Sequence, residues 1–122
     1  MKIAATVARY LMGLMFTIFG LNGFLNFIPA PPFTGTALQF MAVMTASHYM
    51  VLVFLLEIVC GLLFLSGRYL PLALTLIAPV IVNILIFHGL MNPEGIAPGA
   101  IVAICWVLVF STVRPAFAGL LH

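Results

Sequence analysis

Between Val51 and Gly67 the chain reads VLVFLLEIVCGLLFLSG, apolar but for a closing serine and one carboxylic acid, Glu57, close to the middle. A helix rising about 1.5 Å per residue over this stretch covers most of the ~30 Å hydrocarbon layer of a bilayer. An ionisable side chain facing lipid at the centre of such a helix is costly, ~2.5–3.5 kcal/mol for Asp, Lys or Arg on insertion scales. Glu57 is therefore expected to face the inside of a helical bundle, held by polar neighbours, by its own proton, or by both.

The composition requires the same solvent. Hydrophobic residues make up 66% of the 122 residues and charged residues 5%, against soluble norms near ~50% and ~25%. Four Lys or Arg and two Asp or Glu cannot clothe a water-soluble globule. The net charge of +2 comes from scattered single residues, with no basic run, zinc spacing or helix-turn-helix pattern, so nucleic acid is not an expected partner. Cys60 and Cys105 each stand alone in an apolar run and read as small buried hydrophobes.

Working outward from residues 51–67, apolar stretches long enough to cross a bilayer occur four times, at about 5–28, 49–66, 70–88 and 97–113. The breaks between them are PAPPFTG, SGRYLP and HGLMNPEGIAPG, and Arg114-Pro115 ends the last. The first run exceeds the h-region of a secretory signal, and prolines 29, 31 and 32 crowd any cleavage site, so it reads as a retained span. The connection at 67–69 is too short for anything but antiparallel neighbours. The expected fold is an all-α integral membrane protein: a single domain over residues 1–122, forming an antiparallel four-helix transmembrane bundle. Small residues should mark its close contacts, namely Gly13, Gly20, Gly23, Gly61, Ala97, Ala100 and Ala103. Pro79 should bend the third span.

TALQFMAVMTASH, residues 36–48, is helix-like but too short to span. Leu38, Met41 and Met44 are spaced for one face, and Thr34 or Thr36 can cap it. It is expected as a short outer-side helix between spans 1 and 2, lying at the surface or dipping in as a lid or packing element. With the N-terminus inside, Lys2, Arg9, Arg68 and Arg114 fall on the cytoplasmic side and Glu94 outside, satisfying the positive-inside rule. Both termini are then cytoplasmic, in a bacterial-type inner membrane. Arg9, Arg68 and Arg114 are the expected membrane-interface residues, anchoring to anionic headgroups, with Tyr10, Tyr69 and Tyr49 in the aromatic belts.

The polar groups inside the spans gather in the outer half. Glu57 lies at the centre of its helix, Asn83 about one turn outward in the third span, and Asn22 and Asn26 one to two turns outward in the first. His48 and His88 close the outer ends of spans two and three. The candidate ligand-binding residues are therefore Glu57, Asn22, Asn83, His88 and His48, with Glu57 as floor and the histidines as mouth. Nine residues separate His48 from Glu57, half a circle on an ideal helix, so those two can face different ways. Asn83, four residues after Pro79, can serve the carbonyl that the proline frees, and Asn26 can act as interhelical glue. Two histidines and Glu94 supply no metal-ligand spacing, and no catalytic motif stands out. Trp106 can pack against a neighbouring helix or line a flat-ligand site.

Three segments carry a family resemblance: ARYLMGLMFTIFGLNGF (8–24), LEIVCGLLFLSGRYLPLAL (56–74) and PVIVNILIFHGL (79–90). Together they resemble the DoxX-like family of small four-helix membrane proteins. The middle segment is the most specific, through Glu57, Gly61, Gly67 and the Leu70-Pro71-Leu72 restart. The resemblance implies a bacterial inner-membrane protein, similar to a family named for the small subunit of an archaeal thiosulfate:quinone oxidoreductase. By matching position it carries over Arg9, Glu57, Gly61 and Asn83. It implies a membrane accessory or subunit protein associated with redox processes, its cofactor a quinone or lipid and its partners the bilayer, a second copy or a larger membrane complex. The chain has neither a soluble catalytic domain nor paired cysteines, so a complete thiosulfate-oxidising enzyme is not expected. A small-solute transporter or channel is the alternative, against which the inner half of the bundle offers almost no polar lining.

Overall fold

The computed structural model describes residues 2–121, and among them every regular element is helical. Four helices are long and apolar enough to cross a membrane: α1 (Lys2–Leu25), α3 (Tyr49–Ser66), α4 (Leu70–Leu90) and α5 (Ile96–Val113). The shorter α2 (Gly35–Ala46) lies between the first two spans. A 3₁₀ turn, Pro93–Gly95, leads into α5, and a second 3₁₀ segment, Arg114–Leu121, follows it. The chain is a multi-pass helical membrane protein, and large hydrophobics such as Leu52, Leu62, Ile104 and Val107 point outward from the spans.

The four long helices form a closed ring in which α1 packs on α3 and α5, and α4 packs on the same two. Register along the α1–α3 seam shows the direction. Arg9 meets Phe64 and Gly67, Gly13 meets Gly61 and Leu65, Gly20 meets Phe54 and Ile58, and Gly23 meets Phe54. As one helix advances the other recedes, so they are antiparallel. The glycines at 13, 20, 23 and 61 are the contact points expected of them, because a Cβ at any of these would collide with the neighbouring helix. Thr17 sits in the same seam, its hydroxyl buried against Gly61 without a hydrogen-bond partner among the described residues. On α5 the expectation needs correction: Ala97 and Ala100 are exposed, and the small residue buried against α4 is Gly99, facing Ile84.

Ring geometry gathers Arg9, Arg68 and Arg114 at one end and α2 at the other. Arg9 does more there than face headgroups. Gly67 closes α3 in the left-handed conformation (φ 72°), and its N–H and that of Arg68 both bond to the Leu63 carbonyl. The next carbonyls lack helical donors, and the Arg9 guanidinium donates to them, at 2.6 Å from Phe64 O and 3.4 Å from Leu65 O. The guanidinium carbon also lies 4.3 Å from the centre of the Tyr10 ring.

Packing is densest in the Arg9 half of the bundle. Met12, Phe16, Cys60, Phe64, Leu74, Ile77 and Val109 are all sealed from solvent there. Both cysteines are free thiols in this core. Trp106 is a packing residue: its indole N–H donates to Leu74 O at 2.9 Å, tying α5 to α4, and its ring stacks on Phe110 at 5.1 Å and 9°. Phe117 of the closing 3₁₀ segment extends that stack.

Candidate functional site

Toward the α2 end the ring opens into a cavity of about 690 Å³, within the ~300–1,000 Å³ usual for small-molecule sites. Its walls come from all five helices and are mostly phenylalanine, methionine and aliphatic groups. Five polar side chains interrupt them: Glu57, Asn22, Asn83, His88 and Tyr49, whose hydroxyl can both donate and accept. Four of the five residues singled out from sequence thus share one cavity.

Glu57 forms its floor and is only 7% exposed. Below it lie Phe16, Cys60 and Phe64, which offer a carboxyl group nothing stronger than a thiol. Counting from the Gly67–Tyr69 turn at ~1.5 Å per residue, Pro79 of α4 is level with Glu57, Asn83 about 6 Å above it and His88 about 13 Å above. The α1–α3 register puts Asn22 about 4 Å above the acid. The polar groups therefore rise above the acid on two walls of an apolar chamber, Asn22 on α1 and Asn83 and His88 on α4.

Each of the three upper groups has one half already committed to backbone. Asn22 Oδ1 accepts from Ile28 N–H at 2.8 Å, closing the chain over the end of α1. Asn83 Nδ2 donates to Pro79 O at 2.8 Å. That bond corrects the expected role of Asn83, since the carbonyl lacking its helical donor is four residues before Pro79, at Thr75, and Asn83 binds the proline's own carbonyl instead. His88 Nδ1 lies 3.1 Å from Asn92 O. A carbonyl only accepts, so Nδ1 carries a proton and Nε2 of the neutral ring is left as an acceptor. Glu57 is bonded to neither asparagine, so its carboxyl faces the cavity with its hydrogen-bonding capacity unspent on them.

His48 stands apart. It occupies the left-handed region (φ 63°) in the turn between α2 and α3, exposed, and it does not line the cavity. Asn26 likewise serves the backbone, at φ 51° directly after α1, where asparagine tolerates a conformation most residues avoid. This ends α1 at Leu25, three residues before the expected Ile28.

The roof comes from α2 and the segment before it. Phe33, Phe40, Met41 and Met44 all reach the cavity. The Phe87 ring of α4 is 5.5 Å from those of both Phe33 and Phe40, and 5.1 Å from His88. The inward face of α2 therefore runs through Ala37, Phe40, Met41 and Met44, while Leu38, expected on it, is 53% exposed. Thr34 occupies the cap position, but its hydroxyl makes no capping bond. Nothing in the spacing of these phenylalanines marks them out in the sequence; their shared aim at Phe87 is visible only once α2 is folded back on the bundle.

Among the described residues, no three His, Cys, Asp or Glu side chains gather as they would around a metal ion. Compared with protein-family models, curated proteins and solved structures, the chain matches none of them.

Proposed function

We propose that this chain is a DoxX-like accessory or subunit protein of a bacterial inner membrane whose cavity around Glu57 binds a quinone. The observation that carries the reading is a buried acid on the floor of a phenylalanine-rich chamber, with Asn22 and Asn83 on the walls one step above it. Aromatic and aliphatic walls suit a flat apolar ring, and a few placed polar groups orient it. Glu57 gives or takes a proton at one ring oxygen while an asparagine positions the ring. In this reading residues 1–122 form one transmembrane domain with both termini cytoplasmic, because Arg9, Arg68 and Arg114 share one end of the ring. The chamber then opens toward the outer leaflet.

A solute transporter or channel needs a polar route through the whole bundle, and the sealed layer of Met12, Phe16, Cys60, Phe64 and Ile77 closes half of it. The test uses the purified full chain in lipid nanodiscs and a short-tailed benzoquinone, with bound quinone measured at equilibrium. Saturable binding that Glu57→Gln weakens at least tenfold, with unfolding unchanged, supports the reading. Saturable binding untouched by Glu57→Gln leaves the acid a helix-bridging group, and no saturable binding removes the quinone altogether.

A further inference from the structure

The amide and imidazole groups of the cavity are sorted by type, and the sorting bears on which redox form of the ligand it holds; the inference rests on the quinone reading above. A backbone N–H bonds only to an oxygen, so Asn22 must turn Oδ1 to Ile28 and keep Nδ2 free. A backbone carbonyl bonds only to a donor, so Asn83 must turn Nδ2 to Pro79 and keep Oδ1 free. The amide orientations thus follow from the chemistry of their backbone partners. His88 in its neutral form, with Nδ1 committed to Asn92 O, keeps Nε2 as an acceptor. The α1 wall therefore carries a residue with a donor to spare and the α4 wall two residues with an acceptor to spare, while the Tyr49 hydroxyl of α3 can donate or accept and so does not discriminate.

We infer that the site selects the hydroxyl-bearing, reduced form of its ligand, a benzoquinol, over the diketone, with Asn83 and His88 as the specificity-determining residues. A quinone ring carries oxygens that only accept. It can meet Asn22 Nδ2 and a protonated Glu57, but it leaves Asn83 Oδ1 and His88 Nε2 facing groups that cannot donate to them. A quinol hydroxyl both donates and accepts. It can take the Asn22 donor on one side and give its proton to an α4 acceptor on the other, and a polar group left unpaired beside a bound ligand is what makes such sites discriminate. Discrimination of this kind needs no electron transfer within the chain.

The experiment compares three ligands on the full chain in nanodiscs under anaerobic conditions: a short-tailed benzoquinol, the matching benzoquinone, and the dimethyl ether of the same quinol, which keeps the ring and removes both donors. The quinol is expected to bind about tenfold more tightly than either, the equivalent of about 1.4 kcal/mol. In Asn83→Leu combined with His88→Phe the preference should fall to within about twofold through loss of quinol affinity, in a variant whose unfolding in mixed micelles matches the parent's and which is therefore folded. Equal or tighter binding of the quinone or the ether overturns the inference and leaves the quinone site standing. A quinol preference that survives the double substitution overturns the assignment to α4. Binding of none of the three removes the site itself.

Discussion

Replacing Gly61 by alanine places one methyl group where α1 and α3 come closest. Its carbon would fall against Thr17 Oγ1, 2.7 Å from the Thr17 backbone nitrogen and 2.9 Å from the Gly13 carbonyl oxygen. Ordinary contact is nearer ~3.5–4.0 Å, so the helices must separate by roughly 1 Å. Two of the three obstacles are backbone atoms, which no rotamer change moves aside. Overpacking of this kind costs ~1–3 kcal/mol, and the loss spreads along the seam, because Gly13 and Gly20 also depend on close approach. Alanine's better helix propensity returns only ~0.5–1 kcal/mol. The matched control is Gly89→Ala, where the added carbon meets nothing within 4 Å and propensity alone acts. Unfolding in mixed micelles, followed by Trp106 fluorescence against denaturing detergent, should show Gly61→Ala less stable by about 1–2 kcal/mol and Gly89→Ala equal to or slightly above the parent. A Gly61→Ala chain as stable as the parent would refute the close α1–α3 approach on which the position of Glu57 depends.

Arg9→Met should lower stability by about 1.5–3 kcal/mol through loss of the charged donor to Phe64 O, whereas Arg68→Gln and Arg114→Gln, both exposed, should stay within about 0.5 kcal/mol in the same micelle titration. Trp106→Phe keeps an aromatic ring beside Phe110 but removes the bond to Leu74 O, for an expected loss of about 1 kcal/mol read by thermal denaturation. Thr17→Val removes a buried hydroxyl that has no partner among the described residues and should raise stability by about 1 kcal/mol; a loss would mean that the hydroxyl is bonded.

The spans were legible in the sequence because crossing hydrocarbon demands ~20 apolar residues, a requirement visible in a linear window. Burial of Glu57 was legible for the same reason, since lipid has no place for an acid. Element ends were less so. Phe27 and Ile28 prolong the hydropathy of the first span, yet α1 stops at Leu25 because Asn26 turns left-handed and Asn22 ties down Ile28. Hydropathy carries no record of either event. The Arg9 contact joins residues 55 apart and depends on the register of two antiparallel helices, which appears only when the glycine seam is assembled. Proximity of Asn22, Asn83 and His88 to Glu57 followed from depth alone, but their committed halves did not, because those bonds go to local backbone. His48 shows the limit of depth as a guide: it lies at the expected level, but in a turn outside the chamber wall.

The most direct measurement is a crystal structure of the full chain grown from a lipid mesophase containing a short-tailed benzoquinol. Ring-shaped density above Glu57, between Asn22 on one side and Asn83 on the other, is the expected result. A chamber filled by its own phenylalanines, with Glu57 bonded directly to a neighbouring helix, would contradict a ligand site and leave the acid as a structural bridge.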